Sequence, residues 1–193
     1  MKARLFALVV AGGAVVAVDG CGDPTAIRAQ SENVETPVTV YAFNGTPAPV
    51  PSALRVLTAT PVRMDGSFQF DLAFDLNAAG EVVVYTVRAV ASELAPGHRV
   101  GLQTTDLPFA DAVRAPTSGY TYDSLMVVPV GRTVLIDAID ASGYCSVYSL
   151  LGTNIRAKMV VDSVNTPMRA IYLHLLASRT CGFRSLTPGL PKD

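Results

Sequence analysis

The sequence predicts an all-β protein, an antiparallel β-sandwich, and three observations carry that prediction. Phe68, Phe70, Leu72, Phe74 and Leu76 are separated by Gln69, Asp71, Ala73 and Asp75. That is the period-2 alternation of a strand with two unlike faces. Further short runs rich in valine and isoleucine recur between Gly, Pro and Asn punctuation, roughly nine or ten strands in all. No stretch reads as a convincing helix. A transmembrane barrel also alternates, but tryptophan is absent and no aromatic girdles frame the strands.

Taken in order, Val38 to Phe43 alternates as a first strand, and Asn44-Gly45 followed by Pro47, Pro49 and Pro51 ends it in a loop. Asn44-Gly45-Thr46 also spells a glycosylation acceptor, a match read as chance. Ala53 to Met64 is a second strand, and Pro61 within it removes a ladder donor and so predicts a sheet edge. The strand through Phe74 turns at Asn77-Ala78-Ala79-Gly80 and returns from Glu81 to Ala91. A four-residue loop would pair Leu76 with Glu81, Phe74 with Val83, Leu72 with Tyr85 and Phe70 with Val87. In that register Asp71 and Asp75 lie on a wet face.

His98 to Thr104 is a short strand after a turn. Leu107 to Gly119 has no sustained period and carries Pro108, Pro116 and Gly119, so it is a long loop, the usual place for a binding surface. Phe109, Asp111, Arg114 and the adjoining Tyr120 set aromatic anchors beside charge and are the candidate binding residues. The two prolines would limit the entropy lost on binding. Leu125–Val130 and Thr133–Asp140 read as a second hairpin across Gly131-Arg132. The run Val128-Pro129-Val130-Gly131-Arg132-Thr133-Val134 resembles turns of immunoglobulin-like sandwiches, a resemblance confined to those seven positions. Ile155 to Asp162 and Ile171 to Ala177 alternate as two strands around Asn165-Thr166-Pro167.

The first residues supply an address. Lys2 and Arg4 precede an apolar and glycine run, Leu5 to Val18, which has the form of a secretory signal and, at roughly fourteen residues, falls short of the 20 or so of a spanning helix. A cut after Ala29 would lie too far beyond Val18. The ending Val18-Asp19-Gly20-Cys21 resembles the lipobox of bacterial lipoproteins, with Asp19 in a place usually held by a small uncharged residue. That resemblance implies lipidation of Cys21 as the mature N-terminus and a membrane-anchored location in the cell envelope. The implied organisation is a signal at 1–20, a polar tether at 21–37, a sandwich at 38–186 and a tail at 187–193.

The cysteine count agrees with this. Of the three cysteines, lipidation of Cys21 leaves Cys145 and Cys181 as an even pair, expected as a disulfide in an oxidising compartment. Closing that loop would stabilise the fold by up to roughly 4 kcal/mol.

Chemistry is harder to find. The net charge is −1 and no run of Lys or Arg offers a phosphate-binding stripe, so a nucleic-acid partner is not expected. There is no nucleophile elbow, zinc-protease helix motif, Walker loop or dinucleotide fingerprint. Asp75, Asn77 and Gly80 match positions 1, 3 and 6 of a calcium loop, but Ala79 and Thr86 stand where ligands belong, so the segment is a turn. Only two histidines exist, and a zinc site from His98, His174 and a carboxylate would need convergence that spacing does not provide. Asp71 with Asp75, and Asp137 with Asp140, read as solvent-face charges. No catalytic set, metal or cofactor is expected. The reading is a tethered module that binds an envelope protein or a small ligand, with an envelope hydrolase as its rival.

Overall fold

The structure, a computed structural model, describes residues 29–65, 69–92, 97–139, 144–145 and 151–191. The expected signal at 1–20, Cys21, Phe68 and Asp140 lie outside them. Two antiparallel sheets pack face to face. β1 (Val34–Tyr41), β6 (Val100–Thr105), β7 (Thr121–Tyr122), β9 (Thr133–Ile139), β10 (Asn154–Asn165) and β11 (Ala170–Ala177) form one, in the order β1-β11-β10-β9-β6-β7. β2 (Ala53–Arg55), β3 (Thr60–Val62), β4 (Leu72–Leu76), β5 (Val82–Thr86) and β8 (Leu125–Val128) form the other, in the order β3-β2-β4-β5-β8. One helical turn, α1 (Val87–Ala91), follows β5, capped by the Thr86 side chain. Among the described residues no helix is long and apolar enough to cross a membrane.

The core lies between the sheets. Val38, Val40, Ile171, Leu173, Leu175, Met159, Val161, Val134, Ile136 and Leu102 face Leu54, Leu72, Phe74, Val82, Val84 and Val128. The alternation read from Phe70 to Leu76 and from Ile155 to Val161 assigns the inward apolar residues Leu72, Phe74, Met159 and Val161 correctly. Cys145 and Cys181 form the expected disulfide, both buried at the edge of this core.

Several expectations need correction. Ala53 to Met64 is a hairpin, β2 and β3, rather than one strand, and Pro61 does sit on an edge. The β4–β5 loop has five residues. Asn77 accepts on its side-chain oxygen from the Ala79 and Glu81 amides (2.9 and 3.0 Å), and its own amide donates to the Glu81 carbonyl (3.0 Å). Gly80 adopts the positive φ of +79° that closes the turn. The extra residue moves the register by one, pairing Leu76 with Val82 and Phe74 with Val84. Val82 and Val84 therefore face inward, while Val83 and Tyr85 turn to the other face, and Val87 belongs to α1. This fits the valines better than the four-residue register did.

The second expected hairpin is a crossover. β8 pairs with β5 and β9 with β10 and β6, so the chain passes from sheet to sheet at Pro129–Arg132. The strand order does not reproduce the immunoglobulin arrangement of four strands over three. β1 begins at Val34, four residues before the expected start. Just ahead of it, Asn33 exchanges backbone bonds with Gly189 (2.8 and 3.0 Å), and its buried amide donates to the Ser185 and Thr187 carbonyls. The end of the expected tether and the expected tail thus hold each other against the domain.

Candidate functional site

The loop Leu107–Gly119 lies across the outer face of the six-stranded sheet. Pro108 starts it with a single turn, its carbonyl accepting from the Asp111 and Ala112 amides (2.9 and 3.1 Å). Farther on, the loop zips to the C-terminal segment. Ala115 donates to the Arg184 carbonyl and Leu186 to that of Val113, each at 2.8 Å. Ala112, Ala115 and Leu186 then close over Leu135 of β9 and Leu176 of β11 in a small second core.

Two cations anchor the ends of the loop. Lys158 of β10 is buried, with Nζ 2.6 Å from the Phe109 carbonyl and 4.4 Å from the centre of its ring. Burial holds this ammonium below its ordinary pKa, and Glu35 and Asp111 oppose that effect. At the far end the Arg156 guanidinium lies 5.4 Å from the Tyr120 ring. Gly101 is what admits the tyrosines, because a Cβ there would stand 2.8 Å from both Tyr120 Cβ and Tyr122 Cε1.

The four candidate residues therefore divide. Phe109 and Tyr120 face inward as half-buried packing groups, while Asp111 and Arg114 are exposed on the crest. Leu107 and Val113 are exposed beside them, and neither was singled out from the sequence, since a loop without a period gives no signal of direction.

The expected solvent-face carboxylates are buried. Asp137 retains 2% exposure and Asp75 4%. Asp137 accepts from the Tyr122 hydroxyl and from Asn154 Nδ2 at 2.7 Å, and forms an ion pair with Arg156 Nη1 at 2.6 Å. Asp75 takes Asn44 Nδ2 and Arg169 NH2, so the side chain of the glycosylation-like Asn44 is engaged within the fold. Asp71 is half-buried, accepting the Val56 amide (2.6 Å) and lying 2.6 Å from His98 Nε2. The reason is common to Asp75 and Asp137: polar side chains from elsewhere in the chain, Asn44 and Arg169 on the one and Tyr122, Asn154 and Arg156 on the other, close over the outer faces, so the alternate positions are polar without being wet. His174, by contrast, is partly exposed as expected, with Nδ1 2.6 Å from Asp162 Oδ2. The two histidines thus hold separate carboxylates, and no group of three metal-ligating side chains occurs among the described residues.

Burial pushes the Tyr120 and Tyr122 phenols up to about 12, with the bond to Asp137 acting in the same direction on Tyr122. The folded state keeps these protons where the unfolded chain, with ordinary phenols near 10, loses them. Their contribution to stability is therefore complete below about pH 10 and is lost as the pH rises towards 12. Lys158 acts oppositely, its lowered pKa favouring the fold as the pH approaches 10.5. Comparing the chain with its Tyr120→Phe/Tyr122→Phe variant cancels the lysine. Urea titrations from pH 8 to 11 should show a shallower alkaline decline for the variant, whereas parallel declines would exclude the phenols as its source.

No protein-family model, curated protein or solved structure matches this chain.

Proposed function

We propose that this chain is a lipid-anchored envelope protein that binds a protein partner through the loop Leu107–Gly119 and performs no turnover of its own. The observation that carries this is the second core. A thirteen-residue stretch without regular strand or helix is held in one shape by Ala112, Ala115, Leu186 and the Lys158 contact. Its outward residues, Leu107, Asp111, Val113 and Arg114, are thus ordered before any partner arrives, which lowers the entropy lost on association. Exposed aliphatic side chains beside charge suit a protein surface. The lipobox-like Val18-Asp19-Gly20-Cys21 supplies the anchor and the location.

The test is crosslinking in cells followed by capture from the detergent-extracted envelope. Leu107→Ser/Val113→Ser alters only exposed side chains of the crest, leaving Phe109 and Tyr120 to pack, and should lose the partner while unfolding at an unchanged midpoint. A folded double variant that retains every partner would make the loop a mere connector.

A hydrolase reading has one observation in its favour. With Nδ1 of His174 on Asp162, its Nε2 has no bonded partner among the described residues, the posture of a general base. Hydrolysis of an envelope substrate, abolished by His174→Asn, would establish that reading instead.

A further inference from the structure

Sheet edges expose unpaired backbone groups and are normally guarded. β1 carries Pro37 and is closed off by neighbouring chain, with Tyr41 donating to the Pro51 carbonyl and Phe43 to that of Phe74, both at 2.9 Å. β3 carries Pro61, and β7 is two residues long with Arg99 stacked on Tyr122 at 4.6 Å. β8, Leu125-Met126-Val127-Val128, has no proline and no charge.

Its hydrogen-bonding direction follows from one contact. The Thr86 amide donates to the Ser124 carbonyl (3.1 Å), which makes Thr86–Ser124 a bonded pair. In an antiparallel ladder bonded and non-bonded pairs alternate. With the register Val84–Met126 and Val82–Val128, those two residues of β8 turn their backbone groups to β5. Leu125 and Val127 turn theirs outward, and these groups have no partner among the described residues. The same two residues expose their side chains, at 55% and 43%. Opposite them on β5 stand Tyr85 and Val83, which continue the apolar face.

We propose that β8 is a pairing edge for a second copy of this chain, the two β8 strands joining antiparallel about a two-fold axis through Met126. That register sets Leu125 against Val127 of the other copy and Val127 against its Leu125. All four outward N–H and C=O groups on each copy are then used, and all four exposed aliphatic side chains fall on one face of a continuous sheet of ten strands. No like charges meet. Asp123, the nearest charge, stands opposite Pro129 and is already met by Arg88 and Arg99, each at 3.4 Å. A four-residue edge buries less area than a stable interface requires, so the association is weak and concentration-dependent.

Sedimentation equilibrium on the purified full chain, with amide exchange at low and high concentration, tests this. The mass should rise towards a dimer with concentration. The Leu125 and Val127 amides should gain protection as it does, while Met126 and Val128 are protected throughout. Val127→Pro removes only an outward donor and spares the β5 ladder, so it should fold and pair roughly tenfold or more weakly. Leu125→Lys alters no backbone group and should also weaken pairing, through charge repulsion. A wild type that stays monomeric, a dimer whose Leu125 and Val127 amides remain unprotected, or a folded Leu125→Lys variant that pairs as before would each overturn the proposal.

Discussion

Asp137→Ala is expected to destabilise the domain by about 3–5 kcal/mol, the range for removing one partner of a buried ion pair. The carboxylate, on β9, is inaccessible and ties three strands together, accepting from Tyr122 on β7 and Asn154 on β10 and forming an ion pair with Arg156, also on β10. Its loss leaves the Arg156 guanidinium, itself largely buried beneath Tyr120, without a counter-charge. Desolvation that the pair had offset then falls on the fold alone. Replacing both partners, Asp137→Ala with Arg156→Met, removes the orphaned charge and should recover part of the loss. The surface pair of Asp106 with Arg132 is the control. Its carboxylate is almost wholly in solvent, and Asp106→Ala should leave the urea midpoint unchanged. Equal shifts for Asp106→Ala and Asp137→Ala would mean that the network is not buried in solution.

Asp137 also shows where sequence reading stops. Alternation along Phe70–Leu76 and Ile155–Val161 identifies which residues share a face, because that depends only on the pleat. Whether the other face meets water depends on what covers it. Over Leu135 and Leu176 the cover is the Leu107–Gly119 loop zipped to residues 183–187, and over Asp137 it is Tyr122 and Arg156, in each case segments far apart in the chain. The loop was legible as a loop from Pro108 and Pro116, but nothing local marks Phe109 and Tyr120 as inward or Leu107 and Val113 as outward. The β4–β5 register failed for a smaller reason, since one side chain, Asn77, decides between a four- and a five-residue turn. Gly131 likewise marks a turn without saying which sheet follows it. The disulfide was legible because it needs only a count: one cysteine assigned elsewhere leaves a single pairing.

The corrected register makes the last prediction discriminating. Phe74→Ala should cost about 3–5 kcal/mol, near the upper part of the range for large-to-small substitutions in a core. The cost depends on how far the surroundings can relax into the vacated space, and here they are pinned. The Phe74 amide donates to the Ser52 carbonyl and its carbonyl accepts from Phe43, each at 2.9 Å, fixing the backbone from two sides. The ring is fully buried between Val84 of the neighbouring strand and the opposite sheet, where neither layer can close in without breaking its ladder. The loss should appear as a lower urea midpoint with an unchanged slope. A paired measurement reads the register directly. Val84 points into the core and Val83 to the outer face, so Val84→Ala should cost more than Val83→Ala. The reverse order would restore the four-residue turn, place Val83 opposite Phe74, and with it remove the apolar outer face that β5 shares with β8.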